Sequence, residues 1–425
     1  MTTSPPQLAP QDTGRVTGTG AAHTSLKSFL GDWAKRARSG ESGVLPVVAG
    51  LVLIVIVFQV QSPVFLSAGN LTNLLVQGAV FVLLGMAEVF VLLLGEIDLS
   101  IGYLAGIGAV VTGALLAYPY QAPWWVAIAA GLVVTSALGA LQGTLITRLG
   151  LPSFVVTLSG LLGFEGLMIL MIDNSGSASG GTIRITDNVV NDLVNGNLSP
   201  LAGWLALAAV LVVYGAVNLL ASRRRRASGL VAVPPSVAIA KVAVTAAAGV
   251  VLVWICNTNR GALVPLRGVP WVVPIVLGVF VAWTALLGRT RFGRYIYAIG
   301  GNAEAARRAG VNLTRVRTLA FTLSGLTSGA AGVIYASRLG SISVNIDGGT
   351  LVLYAVAAAV IGGTSLFGGR GKVLHAVLGG LVIAAIYNGM GLLGMGAAVQ
   401  YMVTALVLLA AVTVDAVARR NRRAA

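Results

Sequence analysis

Four carboxylic acids, Glu88, Glu96, Asp98 and Glu165, stand inside or beside runs of sequence that are otherwise apolar. An ionisable group at membrane depth is costly, so each is a candidate for proton movement, for contact with a polar solute, or for tying one helix to another. Asp98 precedes an apolar run and its side chain suits the capping of that helix; a direct part in solute passage is the other reading. Glu96 belongs either at an inner mouth or in an unwound break, "GEIDLSIG", whose bare backbone is tolerated only where protein or water surrounds it. Glu88 and Glu165 fall nearer the centres of their runs and read as hydrogen-bonding partners between helices. The neutral groups Asn73, Gln77, Asn345, Tyr354 and Asn388 are candidates to line a path, because polar groups in a dry bundle must find partners. A helix-joining hydrogen bond of roughly 1 kcal/mol is the alternative for each of them.

Covalent and metal chemistry has little to work with. Two histidines, His23 and His375, and one cysteine, Cys256, supply neither a zinc constellation nor a nucleophile set. The nearest approach to a phosphate loop is Gly371-Lys372, which is followed by Val373 and has Leu366 where the first glycine belongs. No cofactor is therefore expected on this chain. Gly389, Gly391 and Gly394 spell G-x-G-x-x-G, but they follow an apolar helix and open no βαβ unit, so they read as helix packing.

One polar stretch is informative in detail: "GRYIYAIGGNAEAARRAGVN", Gly293 to Asn312. Asn302 is a good N-cap and Gly310 a good residue just past a helix end, which predicts a helix of about two turns over Ala303 to Ala309. Glu304 in the first turn and Arg307 and Arg308 in the last complement its dipole. At about 100° per residue, Ala305, Ala306, Ala309 and Gly310 share one face and Glu304, Arg307 and Arg308 the other. So short a helix is not stable alone in water and needs support from its own protein or from a partner.

The elements that must hold these groups follow from composition. A chain of 425 residues that is 56% hydrophobic and 10% charged, with a mean hydropathy of +0.89, reads as an all-α polytopic membrane protein. Measured against roughly 20 apolar residues per crossing, candidate spans lie at 44–61, 71–95, 98–118, 123–147, 152–172, 200–221, 234–256, 270–288, 316–338, 350–364, 373–394 and 397–417. The tenth is short enough to be re-entrant, so ten to twelve crossings are expected. If the spans alternate, all but four of the 28 Lys and Arg residues fall on one side, the exceptions being Arg184, Arg260, Arg267 and Arg338. By the positive-inside tendency that side is the cytoplasm, which accounts for the net charge of +15 without nucleic acid. Residues 1–43 read as a flexible basic cytoplasmic tail, 44–418 as a membrane domain with its polar loop at 289–315, and 419–425 as a second basic tail. The external stretches 173–200 and 341–350, with Arg184, Asp187, Asp192 and Asp347 for rim salt bridges, are the expected docking surface for an outside partner.

"EAARRAG", Glu304 to Gly310, matches the E-A-A-x-x-x-G loop of permease subunits from bacterial ATP-binding-cassette importers. With "RTRFGRYIYAIGGNAEAARRAGVN", "GEIDLSIGYLAG" at Gly95 to Gly106, "PSFVVTLSGLLGFEG" at Pro152 to Gly166 and "VIGGTSLFGGRG" at Val360 to Gly371, the chain resembles the simple-sugar permeases of the ribose, galactose and xylose type. The glutamate of "EIDLS" and the long insert around Arg223 to Pro270 are similar to the xylose branch. The resemblance implies a homodimeric pore in a bacterial inner membrane, with its amino terminus in the cytoplasm. A sugar would arrive from an extracytoplasmic binding protein, and a separate ATPase would consume Mg-ATP. It further implies that the short helix, through Asn302, Glu304, Ala305, Ala306, Arg308 and Gly310, couples the ATPase to the spans. An ion-coupled carrier of a small polar solute, with Glu88, Glu96 or Glu165 passing the proton, is the competing reading.

Overall fold

Backbone in hydrocarbon has no water to bond, so each apolar run must close its own hydrogen bonds and become a helix. The computed structural model describes residues 44–175, 181–229, 235–261 and 264–424; the expected amino-terminal tail lies outside them. Each expected span appears as a helix. In chain order these are α1 (Leu45–Gln61), α2 (Ala68–Leu92), α3 (Ile101–Leu116), α4 (Trp124–Leu149) and α5 (Ser153–Asp173). Then come strand β1 (Thr182–Arg184), α6 (Asn188–Asn195), α7 (Pro200–Ala227), α8 (Pro235–Asn257) and α9 (Val272–Arg289). The short α10 (Arg291–Gly301) and α11 (Ala303–Arg308) lead into α12 (Leu313–Leu339). Strand β2 (Ser341–Ser343), α13 (Gly348–Ile361), α14 (Val373–Leu392) and α15 (Ala397–Ala424) complete the chain, α15 running on through the expected carboxy-terminal tail.

Among the described residues, eight of these helices are long and apolar enough to cross a membrane; α1, α3, α13 and the apolar part of α15 are shorter. The run expected at 98–118 appears as a shorter helix. Helix α3 has 16 residues, about 24 Å, and α13 has 14, about 21 Å, both under the roughly 30 Å of a hydrocarbon core. Both are buried along most of their length. Their sides are covered by neighbouring helices, so a short helix here leaves little backbone facing lipid.

Burial sorts the bundle into centre and periphery. The most apolar window of α2 is 83% buried, whereas that of α7 is 0% buried, which places α2 with α3, α12, α13 and α14 at the centre and the α7–α8 pair at the rim. The most extensive seam joins α4 to α12. There the backbones touch: a Cβ on Gly143 would lie 2.7 Å from the Cα of Thr318, and one on Gly139 or Gly325 would strike the carbonyl of Phe321 or of Thr135. Small residues permit this approach and gain dispersion contact that bulkier ones would prevent.

The two ends of the bundle differ. At one, β1 pairs antiparallel with β2 in register Thr182 to Ser343, joining the two stretches expected to form an external surface. Two of the acids there cap helices: Asp187 caps α6 by accepting from the amide of Val190 at 2.9 Å, and Asp347 caps α13 from that of Thr350 at 2.9 Å. At the opposite, arginine-rich end lie the 93–100 turn, the α9–α12 connection and the 362–372 loop.

Candidate coupling site and polar path

The α10–α11 segment folds as its capping residues dictate. The Asn302 side chain accepts a hydrogen bond from the amide of Ala305 at 2.9 Å and so fixes the start of α11. At the other end the amide of Gly310 bonds the carbonyl of Arg307 and that of Val311 the carbonyl of Ala306, each at 3.0 Å. Gly310 takes φ +81°, a left-handed backbone that glycine adopts without a Cβ clash. Arg307 and Arg308 both donate to the Glu304 carboxylate, at 2.9 and 3.2 Å, and hold its pKa below the usual range.

The two faces of α11 differ from the sequence expectation in one respect. Ala306 is only 5% exposed and packs with Ile296, Ile299, Val316 and their neighbours, so it belongs to the seat the chain provides for its own helix. The small residues left exposed are Ala305, Ala309 and Gly310, beside Asn302, Glu304 and Arg308. Support for this short helix therefore comes from the chain itself, through Ala306 and the two caps.

Three segments singled out in the sequence converge here. The amide of Gly369 donates to the carbonyl of Leu93 at 2.9 Å, and the Tyr297 hydroxyl donates to the carbonyl of Gly371 at 2.8 Å. Gly95, at φ +80°, lies against the carbonyl of Phe367. Across the same junction the Arg317 Nε lies 3.0 Å from Glu96 Oε1. Its N–H is not aimed along that line, so the contact is an ion pair more than a hydrogen bond. Residues 93–100, 291–308 and 362–372 thus form one interlocked backbone assembly.

The break between α2 and α3 is held from four sides, and here the unwound reading of "GEIDLSIG" agrees with the structure. The Asp98 amide donates to Glu88 Oε1 at 3.3 Å, and Asp98 Oδ1 accepts from the amide of Ser100 at 2.9 Å and from its hydroxyl at 2.6 Å. The Ser324 hydroxyl reaches Asp98 Oδ2 at 3.4 Å, Gln142 Nε2 donates to Ser100 Oγ at 2.9 Å, and the Thr157 hydroxyl donates to the carbonyl of Ile97 at 3.2 Å. Asp98 therefore closes a turn two residues long and does not cap α3, whose flanking residue Ser100 makes no side-chain cap. Glu88 is fully buried, with one oxygen unpartnered among the described residues.

Of the neutral residues proposed for a path, Gln77 and Asn388 meet, while Tyr354 packs among aromatic rings. Asn388 accepts from Asn70 Nδ2 at 2.8 Å and approaches Gln77 at 3.5 Å, joining α14 to α2. Tyr354 lies edge-on to Phe81, 5.2 Å between centroids, and 6.2 Å from Tyr387. Asn73 is exposed on α2, Asn345 is exposed beyond β2, and Glu165 is half-buried on α5 near Tyr103. Sequence reasoning missed Asn70 and Gln142, lone amides in apolar runs, which is the signal that singled out Gln77 and Asn388. It also missed Arg317, a base one turn into a span.

The comparisons with known proteins place this geometry. Residues 70–412 match the family model described as the permease component of branched-chain amino acid transport systems. The chain is 35% identical to the xylose transport system permease protein XylH of Escherichia coli (strain K12), over 89% of this chain and 93% of that protein. It is 30% identical to the ribose import permease protein RbsC of the same strain, over 87% and 92% of the two chains. It is 31% identical to the D-allose transport system permease protein AlsC, also of that strain, over 86% and 89%. No solved structure matches the chain. By a match that spans most of its length, the chain belongs to the permease-component family of these membrane transport systems.

Proposed function

We propose that this permease subunit passes a monosaccharide inward, with xylose first among pentoses and hexoses, in an importer driven by a separate ATPase. The observation that carries the reading is the exposed α11, seated on its own protein through Ala306 and joined through the loops at 93–100 and 362–372 to α2, α13 and α14. A push on α11 would reach those helices through backbone hydrogen bonds and close contacts, the kind of connection that turns a local contact into rigid-body motion. Ala305, Ala309 and Gly310 form the face offered to the ATPase, which binds and hydrolyses Mg-ATP; the chain itself carries no phosphate loop. The arginine-rich end lies in the cytoplasm, as does the amino terminus, and the β1–β2 end receives a sugar-binding protein outside. Two copies of the chain form the pore. Gln77, Tyr354 and Asn388 supply amide and aromatic surface for a neutral polyol, while Glu88, Glu96 and Asp98 brace the break beneath it.

Reconstitution tests the reading. Vesicles holding the chain with its ATPase and binding protein should take up radiolabelled xylose only with ATP inside the compartment reached by α11. Ala309→Trp, a change on the exposed face, should abolish ATP-driven uptake while leaving membrane insertion and thermal stability intact. Uptake by the chain alone, driven by a pH gradient and indifferent to ATP, would replace this reading with an ion-coupled carrier built on Glu88.

A further inference from the structure

Helices α7 and α8 form a hairpin at the rim that is closed at one end and open at the other. Near the β1–β2 end Val253, Cys256 and Val269 pack with Leu207, and Gly249 lies directly against Leu207. Toward the arginine-rich end the helices part around a cavity of about 630 Å³. Gly215, Leu219 and Arg223 face it from α7, one side of the helix at three- to four-residue spacing, and Ile239 and Val242 face it from α8. The volume lies within the roughly 300–1,000 Å³ typical of sites for one small molecule.

The chemistry of the groove is graded. Its lining is mostly apolar, with Asn218 and Ser222 among it, and Arg223 stands at its mouth; Arg224 and Arg225 follow on the same helix, and all three arginines are exposed. Counted from Pro200 at about 1.5 Å per residue, Arg223 lies about 34 Å along α7, at the boundary of a hydrocarbon layer roughly 30 Å thick. The sequence holds no acidic residue between Asp192 and Glu304, and no ion pair among the described residues involves these three arginines. A symmetric second copy laid on this face would bring the same arginines against themselves, which disfavours that occupant. A molecule with an anionic head and a hydrocarbon tail satisfies both parts. We propose that the groove between α7 and α8 holds one anionic phospholipid from the leaflet at the arginine-rich end, its phosphate held by Arg223, with Arg224 and Arg225 adding positive charge at that level of the membrane, and an acyl chain lying along Gly215 and Leu219.

Two variants of the full chain test this by separate routes. In Arg223→Gln/Arg224→Gln/Arg225→Gln the head loses its partners. In Gly215→Phe, at a position where an added Cβ meets nothing within 4 Å, the ring fills the tail site and the charges stay. Each protein is held in nanodiscs of phosphatidylcholine doped with phosphatidylglycerol, extracted, and examined by native mass spectrometry, with melting in pure phosphatidylcholine as the folding control. The unmodified chain should retain one phosphatidylglycerol in preference to phosphatidylcholine, and inorganic phosphate should not displace it. The triple variant should lose that preference on the order of a hundredfold, and Gly215→Phe should lose the retained lipid. Photo-crosslinking of a diazirine-tailed phosphatidylglycerol to α7 or α8 peptides gives a readout independent of variant folding. Equal retention of both lipids, displacement by phosphate, unchanged retention in the two variants, or crosslinks elsewhere would overturn the proposal.

Discussion

The ion pair between Glu96 and Arg317 ties the break after α2 to the start of α12, and its strength can be bounded before it is measured. Two unit charges 3.0 Å apart attract by about 5 kcal/mol at an effective dielectric near 20. Desolvating both groups and ordering a long arginine offset much of that. Exposed pairs net about 0.2–1 kcal/mol, while removing one partner of a buried pair costs about 3–5 kcal/mol. The Glu96 side chain is 9% exposed and that of Arg317 is 29%, so the pair falls between these limits. Arg317→Met and Glu96→Gln should each destabilise the protein by about 2 kcal/mol, roughly thirtyfold in an equilibrium, and a double-mutant cycle should return a coupling energy of about 1–2 kcal/mol. Thermal unfolding in detergent gives the stability term, and ATP-driven uptake at matched expression gives the functional one. If the two losses add within about 0.5 kcal/mol, the pair does not couple the break to α12 and the reasoning from burial fails.

Three further outcomes follow from the same geometry. Asn302→Ala removes the cap of α11 and should cost that segment about 1 kcal/mol, read as faster amide exchange over 305–309, while Asn302→Asp should spare it. The two arginines hold Glu304 below its ordinary pKa of 4.5, so their support is full above that value and is lost only as pH falls through the lowered one. Uptake should accordingly differ between the parent and Glu304→Gln by the same ratio across about pH 6 to 8, and a ratio that drifts there would contradict the assignment. Asn388→Leu breaks the contacts to Asn70 and Gln77 and should lower melting through roughly 1 kcal/mol of lost helix joining while also weakening the apparent affinity for sugar; lower melting with sugar affinity unchanged would make Asn388 a helix-joining residue alone.

Local signals carried well from sequence to structure, and distant ones did not. Asn302 and Gly310 act on groups within five residues of themselves, so the ends of α11 could be read from types and spacing. The position of the helices was likewise legible, since hydrocarbon thickness sets run length whatever the packing. The inward turn of Ala306 depends on where Ile296, Ile299 and Val316 arrive, which no local pattern states. The shortness of α3 has the same origin: it is buried along its length among other helices, so the span rule for lipid-facing helices does not bind it. For polar residues the sequence showed need without showing the partner. Asn388 finds Asn70 from 318 positions away, and Glu96 finds Arg317 from the far side of nine helices.

The glycine-lined contact of α4 with α12 has a bearing on how such a subunit changes shape. Where main chain rests on main chain there are no rotamers to exchange, so the two helices have one way of fitting and no neighbouring one to slip into. They should travel as a single strut, as should α13 and α14, where Gly379 lies against the carbonyl of Ala358, and the rearrangement that opens one face and shuts the other should fall at joints made by turnable rings and amides, such as Phe81 with Tyr387 and Asn70 with Asn388. The hydroxyls of Thr147 and Thr318 lie 3.4 Å apart across the strut. After Thr147→Cys and Thr318→Cys, an oxidised bridge there should leave transport cycling at its usual pace, and arrest of the cycle would show that this joint is one of the moving ones.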